Sequence, residues 1–210
     1  MIRYTFLGDG TSDKALMKII DWTLSEKYPK TAILPQFADF RYIRDKLKSL
    51  NERIAKAVEL YPCDILFIHR DAEEVRKNEQ IYSKRKDEIR QAIGDANYNF
   101  VVVIPIKMME TWLLTDIEAI KKASGNRNSN TSITLPQITK LEIESNPKDK
   151  LHNILKSASG LKGRRLESFN VGQAVHMVAE YTTDFRALRG LFSFQKFEEE
   201  LNIAVNKLAI

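Results

Sequence analysis

The chain has 210 residues, long enough for a full hydrophobic core, and its 43% apolar and 29% charged residues are the balance of a soluble globular protein. Its one cysteine, Cys63, excludes intrachain disulfides and cysteine-rich zinc sites, and three histidines far apart in sequence leave a histidine-based zinc site to the fold to assemble. No apolar run approaches the ~18 residues of a membrane span and no signal-type leader opens the chain, so a cytoplasmic protein is expected; a formal charge of +5 permits nucleic acid without requiring it.

The first apolar run predicts a strand over 3–7. It empties into Gly8-Asp9-Gly10-Thr11-Ser12-Asp13, after which Leu16, Ile19, Ile20, Thr23 and Leu24 fall on one face of a helix over 12–27. A carboxylate between glycines at a strand end, beside a helix N-terminus, sits where open α/β sheets place their sites. Asp9 and Asp13 would repel a phosphate, so the turn suits a cation. Thr31 to Phe37 is expected to form a second strand, edge-like because of Pro35. Apolar residues at helical spacing then predict a helix over 39–61, with Arg41, Arg44, Lys46, Lys48, Arg53 and Lys56 on its other faces.

The run Asp64 to His69 has the unbroken hydrophobicity of a strand covered on both faces, and it leads into Arg70-Asp71-Ala72-Glu73-Glu74. A polar helix is predicted over 75–93. Phe100 to Ile106 is the clearest buried strand; it passes through Lys107-Met108-Met109 to Glu110, which opens a helix. Strands alternating with helices on short links predict a mostly parallel, four-stranded α/β sheet flanked by helices over residues 1–124. After the polar loop 125–132 only helices are expected: 136–144, 147–159, 171–181 and 193–208. These form an all-helical C-terminal extension, residues 133–210, packed on the sheet domain.

Three strand ends deliver acids: Asp9 with Asp13, Asp71 with Glu73, and Glu110. In a parallel sheet these ends share one edge, and clustered carboxylates call for a divalent cation, magnesium or manganese, because hard oxygen ligands select those ions. Each acid also has an ordinary role. Asp9 is a common turn residue, Asp13 answers a helix dipole, and Glu73 and Glu110 open helices. His69 has the pattern of a packed or hydrogen-bonded strand-end residue, and Trp112 that of a core residue. The glycine-punctuated basic loop Ser159 to Arg165 offers Lys162, Arg164 and Arg165 to a phosphate backbone, alongside Arg70 near the acids. Aromatic residues are little interleaved with the basic ones, which argues against single-strand readout by stacking.

Gly8-Asp9-Gly10-Thr11-Ser12-Asp13 followed by an amphipathic helix, and the apolar strand into Asp71-Ala72-Glu73, resemble a TOPRIM domain. That fold is shared by topoisomerases, primases and the overcoming-lysogenization-defect nucleases. With Met109-Glu110-x-Trp-Leu-Leu added, the first ~120 residues are similar to bacterial TOPRIM-like proteins often met near defence or mobile elements. The first TOPRIM motif usually carries glutamate where this chain has Asp9, and the second is Asp-x-Asp where this chain has Asp71-x-Glu73. The resemblance implies that Asp9, Asp71 and Glu73 hold magnesium or manganese. Asp13 joins the ligands as part of the matched motif; by position, Glu110 is an added ligand or general base and Lys107 a stabiliser of transition-state charge. It further implies metal-dependent phosphodiester hydrolysis of DNA or RNA in a phage-defence or mobile-element setting, with a protein partner encoded nearby and no membrane. No tyrosine in a cleavage context suggests a topoisomerase. The alternative expectation is a non-enzymatic module that partners a neighbouring ATPase or toxin system.

Overall fold

A computed structural model describes residues 1–43, 47–74 and 77–208. Among the described residues, four strands form one sheet: β1 (Ile2–Leu7), β2 (Ile33–Phe37), β3 (Ile65–His69) and β4 (Phe100–Val103). All pairings are parallel, in the order β2-β1-β3-β4. The helices are α1 (Ala15–Lys27), α2 (Leu50–Leu60), α3 (Asn78–Ile93), α4 (Glu110–Leu113), α5 (Ile117–Ala123), α6 (Ile138–Leu141), α7 (Pro147–Ser159), α8 (Arg164–Glu167), α9 (Val171–Tyr181) and α10 (Phe192–Asn206). The expected α/β sheet with helical C-terminal elements is therefore the observed fold. None of the described helices is long and apolar enough to cross a membrane.

Strand periodicity divides the core in two. Tyr4, Phe6, Phe67, Val101 and Val103 face α1 and the C-terminal helices, whereas Leu7, Leu66, Ile68 and Val102 face α2 and α3. As suits central strands, β3 is buried and apolar from Ile65 to Ile68, and β1 is apolar but for Arg3 and the buried Thr5. The edge strand β2 tolerates Pro35 because one side of its ladder is unpaired. The first cluster runs without a break from Phe6 to Phe197 and Leu201, so the C-terminal helices complete the sheet's own core. At its centre Trp112 is fully buried, meets Phe194 edge-on at 5.3 Å, and donates its indole N–H to Ser193 Oγ at 3.0 Å. The N-terminus of α10 has no local side-chain cap. Buried Glu142 serves instead, accepting from Phe192 N at 3.0 Å and Ser193 N at 2.8 Å.

Several boundaries differ from expectation. The helix predicted over 39–61 begins only at Leu50, because Ser49 and Glu52 form a reciprocal capping box. Upstream, Asp39 accepts from Arg41 N at 3.1 Å and bends the chain into a turn. Arg44 and Lys46, counted on that helix, lie outside the described residues, as do Val75 and Arg76 at the predicted start of the next. β4 stops at Val103, two residues before Pro105, which has no N–H to continue a ladder. The helix expected from Glu110 is split in two by Asp116, whose carboxylate caps Ala119 N at 3.0 Å. The basic segment 159–165 is not wholly a loop: Arg164 and Arg165 start α8, behind Gly163.

Candidate active site

The chain moves from β1 outward to β2, then crosses back to β3. The adjacent carboxyl ends of β1 and β3 are therefore the topological switch point of the sheet, the crevice where open α/β folds bind ligands. The β1 end is shaped by a tight packing requirement. A Cβ on Gly8 would lie 2.9 Å from both Cβ and Oδ2 of Asp13, so glycine is needed there for space. Asp13, only 7% exposed, accepts from Gly10 N at 2.8 Å through Oδ2 and from Ser12 Oγ at 3.1 Å through Oδ1. It thus answers the first turn, as its ordinary role predicts, while its carboxylate stays inside the crevice.

From the β3 end comes His69, 2% exposed and stacked on Phe6 with ring centroids 6.2 Å apart. Its Nδ1 lies 2.9 Å from Val103 O, and a carbonyl only accepts, so Nδ1 carries the proton. Nε2 then faces two acids: Asp71 Oδ1 at 3.4 Å and Asp13 Oδ2 at 3.9 Å. Burial raises the Asp71 carboxyl to about 6; His69 opposes the shift, and the charges of Asp13, Glu110 and Asp9 add to it. Asp71 Oδ1 is buried with no hydrogen-bond partner among the described residues. Glu110, at the start of α4 and 5% exposed, is also raised by burial. Its own backbone N–H, Lys148 and His69 counter that shift, and Asp13 reinforces it. Asp71 therefore lies within electrostatic range of three other carboxylates, which come from two further segments.

The remaining predicted residues are differently engaged. Asp9 is gripped by two guanidiniums, Arg53 Nη1 at 3.0 Å and Arg70 Nε at 3.3 Å, and Arg53 also donates to Gly8 O. Glu73 does not share a side with Asp71: its carboxylate is held by Arg85 Nη2 at 2.6 Å. The chain does not stay extended beyond β3, because Glu73 adopts φ of +67°. Lys107 has φ of +68°, and the two residues clamp each other. Glu73 N donates to Lys107 O at 2.7 Å, and Lys107 Nζ donates to Glu73 O at 2.8 Å. The Lys107 ammonium is thus committed to a backbone carbonyl that fixes the loop after β3 to the loop after β4. Lys162, Arg164 and Arg165 are exposed at and before α8.

Sequence reasoning did not single out Arg53 or Lys148, whereas His69 is the packed, hydrogen-bonded strand-end residue it expected. The Ser49-x-x-Glu52 capping box was a legible signal for Arg53, since it sets that residue in the first turn of α2. Lys148 had no local signal; it reaches Glu110 only because α7 packs on α4.

Residues 9–201 match the model of a family described as a domain of unknown function (DUF4276). The chain belongs to that family. No curated protein and no solved structure matches it. The matched span begins at Asp9 and takes in every charged site residue named above together with the helices that complete the core.

By donor chemistry the crevice fits a hard divalent cation. It offers carboxylate oxygens from Asp13, Asp71 and Glu110, one of them buried without a partner, in mutual repulsion that a cation would relieve. Among the described residues no three His, Cys, Asp or Glu side chains are already gathered around one point, so binding requires the side chains to close in. Asp9 and Glu73 would first have to leave their arginines.

Proposed function

We propose that this protein is a magnesium- or manganese-dependent phosphodiesterase acting on nucleic acid, with the cation held by Asp13, Asp71 and Glu110. The observation that carries this reading is Asp71 Oδ1: an unpartnered buried carboxylate oxygen, at the switch point of the sheet, among three other acids. The resemblance of the strand-end motifs to TOPRIM motifs supports it, with Asp13 and Glu110 taking the places that Asp9 and Glu73 leave. A bound divalent cation supplies charge neutralisation and polarises a phosphoryl oxygen.

The other roles belong to the chain's own residues. His69, with its proton on Nδ1, presents Nε2 to accept a proton from an attacking water, and Asp71 stabilises the imidazolium that forms. Arg53 and Arg70 bind the phosphate by exchanging Asp9 for its oxygens; a planar guanidinium suits either anion. Lys107 takes no part in charge stabilisation, because it holds the Glu73 carbonyl. Arg164 and Arg165 remain candidates for gripping the nucleic-acid backbone at a distance.

One observation favours a second reading. Two of the implied ligands, Asp9 and Glu73, are neutralised by arginines, as suits a non-enzymatic module that partners an ATPase or toxin system. Assays on single- and double-stranded DNA and RNA with magnesium or manganese separate the two. The enzyme reading expects cleavage by the wild type and none by Asp71→Asn. Equal activity of the two proteins, or none in either, favours the module.

A further inference from the structure

Beside the acidic crevice lies a cleft of about 580 Å³ lined by Phe37, Phe40, Ile43, Leu47, Arg41 and Arg53, and it shares Asp9 and Arg53 with the site itself. That volume falls within the roughly 300–1,000 Å³ of small-ligand pockets. Its wall is ordered by specific bonds. Ala38 N donates to Phe6 O at 2.9 Å, Tyr61 OH to Asp39 O at 2.9 Å, and Ile43 N to Phe40 O at 3.1 Å. Arg41 is held by both oxygens of Asp39. Next to this wall, Tyr42 is 86% exposed, with the Arg41 guanidinium 5.7 Å from its ring centroid. The exposed Tyr42 ring thus has a face open to a partner, with a guanidinium at its side.

We propose that this cleft receives an unpaired nucleobase, so that the protein engages single-stranded nucleic acid, with Phe40 and Tyr42 as the stacking surfaces. This rests on the phosphodiesterase reading for its orientation. Arg53 joins the two sites, so a phosphate exchanged onto it sets the attached base toward the aromatic wall. Aromatic faces with flanking arginines are the general apparatus for holding bases without sequence preference. A duplex keeps its bases stacked inside and has none free to place against the Phe37 and Phe40 side of this cleft. The sequence argued against stacking because aromatic and basic residues are little interleaved along it. The fold makes Phe37, Phe40 and Tyr42 count by setting them next to the acids.

The test measures binding by fluorescence anisotropy, with a labelled single-stranded oligonucleotide, its duplex and calcium in place of magnesium. Wild type should bind the single strand more tightly than the duplex. Tyr42→Ala should weaken single-strand binding by roughly tenfold, the scale of one lost base stack, and Phe40→Leu should weaken it in the same direction. Since Tyr42 is exposed, its variant keeps the fold. Duplex preference, or unchanged affinity in both variants, overturns the proposal. Hydrolysis of bis(4-nitrophenyl) phosphate, which carries no base, by wild type and Asp71→Asn reports separately on the chemistry. Its absence together with tenfold weaker binding by Tyr42→Ala leaves the cleft standing and removes the phosphodiesterase.

Discussion

Two regions of this molecule bury acids, and they do so in opposite ways. Under α10, Glu142 is 7% exposed and both of its oxygens accept backbone N–H groups that would otherwise be orphaned at a helix start. Beyond the ends of β1, β3 and β4, Asp13, Asp71 and Glu110 lie near one imidazole, and Asp71 keeps an oxygen with no hydrogen-bond partner among the described residues. The first arrangement satisfies the fold. The second costs the fold something, and such a cost persists where a site needs it. Removing an acid from each region should therefore have opposite consequences.

The largest expected effect is on activity. Asp71→Asn should lower metal-dependent hydrolysis by at least about 100-fold, beyond what residues behind the ligands usually cost. The same substitution should raise the melting temperature near neutral pH, because it removes a charge that its neighbours repel. The sign follows from linkage. Asp71 titrates at about 6 in the folded protein against an ordinary value of 3.8, so between those values the native state binds more protons. Its contribution to stability therefore falls as pH rises through that window. Thermal melts of wild type and variant from about pH 4 to about pH 7 should diverge upward through it.

Glu142→Ala should do the reverse. Leaving Phe192 N and Ser193 N without an acceptor should cost about 2–3 kcal/mol, read from denaturant unfolding. Hydrolysis at low temperature should be retained, since Glu142 is no part of the crevice. Gly8→Ala is intermediate: a Cβ 2.9 Å from Asp13 forces that carboxylate to move, at about 1–3 kcal/mol, and cation affinity should fall with it. The smallest effect is expected for Glu73→Gln. The Glu73–Arg85 pair is exposed on the glutamate side, so its loss should change stability by less than about 1 kcal/mol. An activity loss from Glu73→Gln as deep as that from Asp71→Asn would return Glu73 to the ligand set and break the contrast drawn here.

Much of the fold was legible because β3 and β4 are almost wholly apolar, β1 is apolar but for Arg3 and Thr5, and α7 and α9 carry helical spacing behind Asn caps. Of the single-turn helices α8 escaped, having no periodicity to detect, while α4 and α6 were expected as parts of longer helices. The site was legible in outline: parallel strands put acids on one edge whatever their side chains do. Which acids share the crevice was not, because it turns on backbone conformation. A left-handed Glu73 and Lys107 pull both residues into a loop clamp, and nothing in their residue types announces a positive φ. Arginines from α2 and from the β3 end neutralise Asp9 by tertiary packing, beyond the reach of local spacing.

The central claim, that the acidic edge holds a divalent cation through Asp71, is tested most directly by calorimetric titration of manganese into wild type and Asp71→Asn. The titrations belong at about pH 7.5 and about pH 5, either side of the Asp71 value, because a ligand must lose its proton to bind. The account predicts saturable binding by wild type at the higher pH, weaker binding accompanied by proton release at the lower pH, and none by the variant. Equal binding by both proteins, or no binding by wild type at either pH, would contradict it.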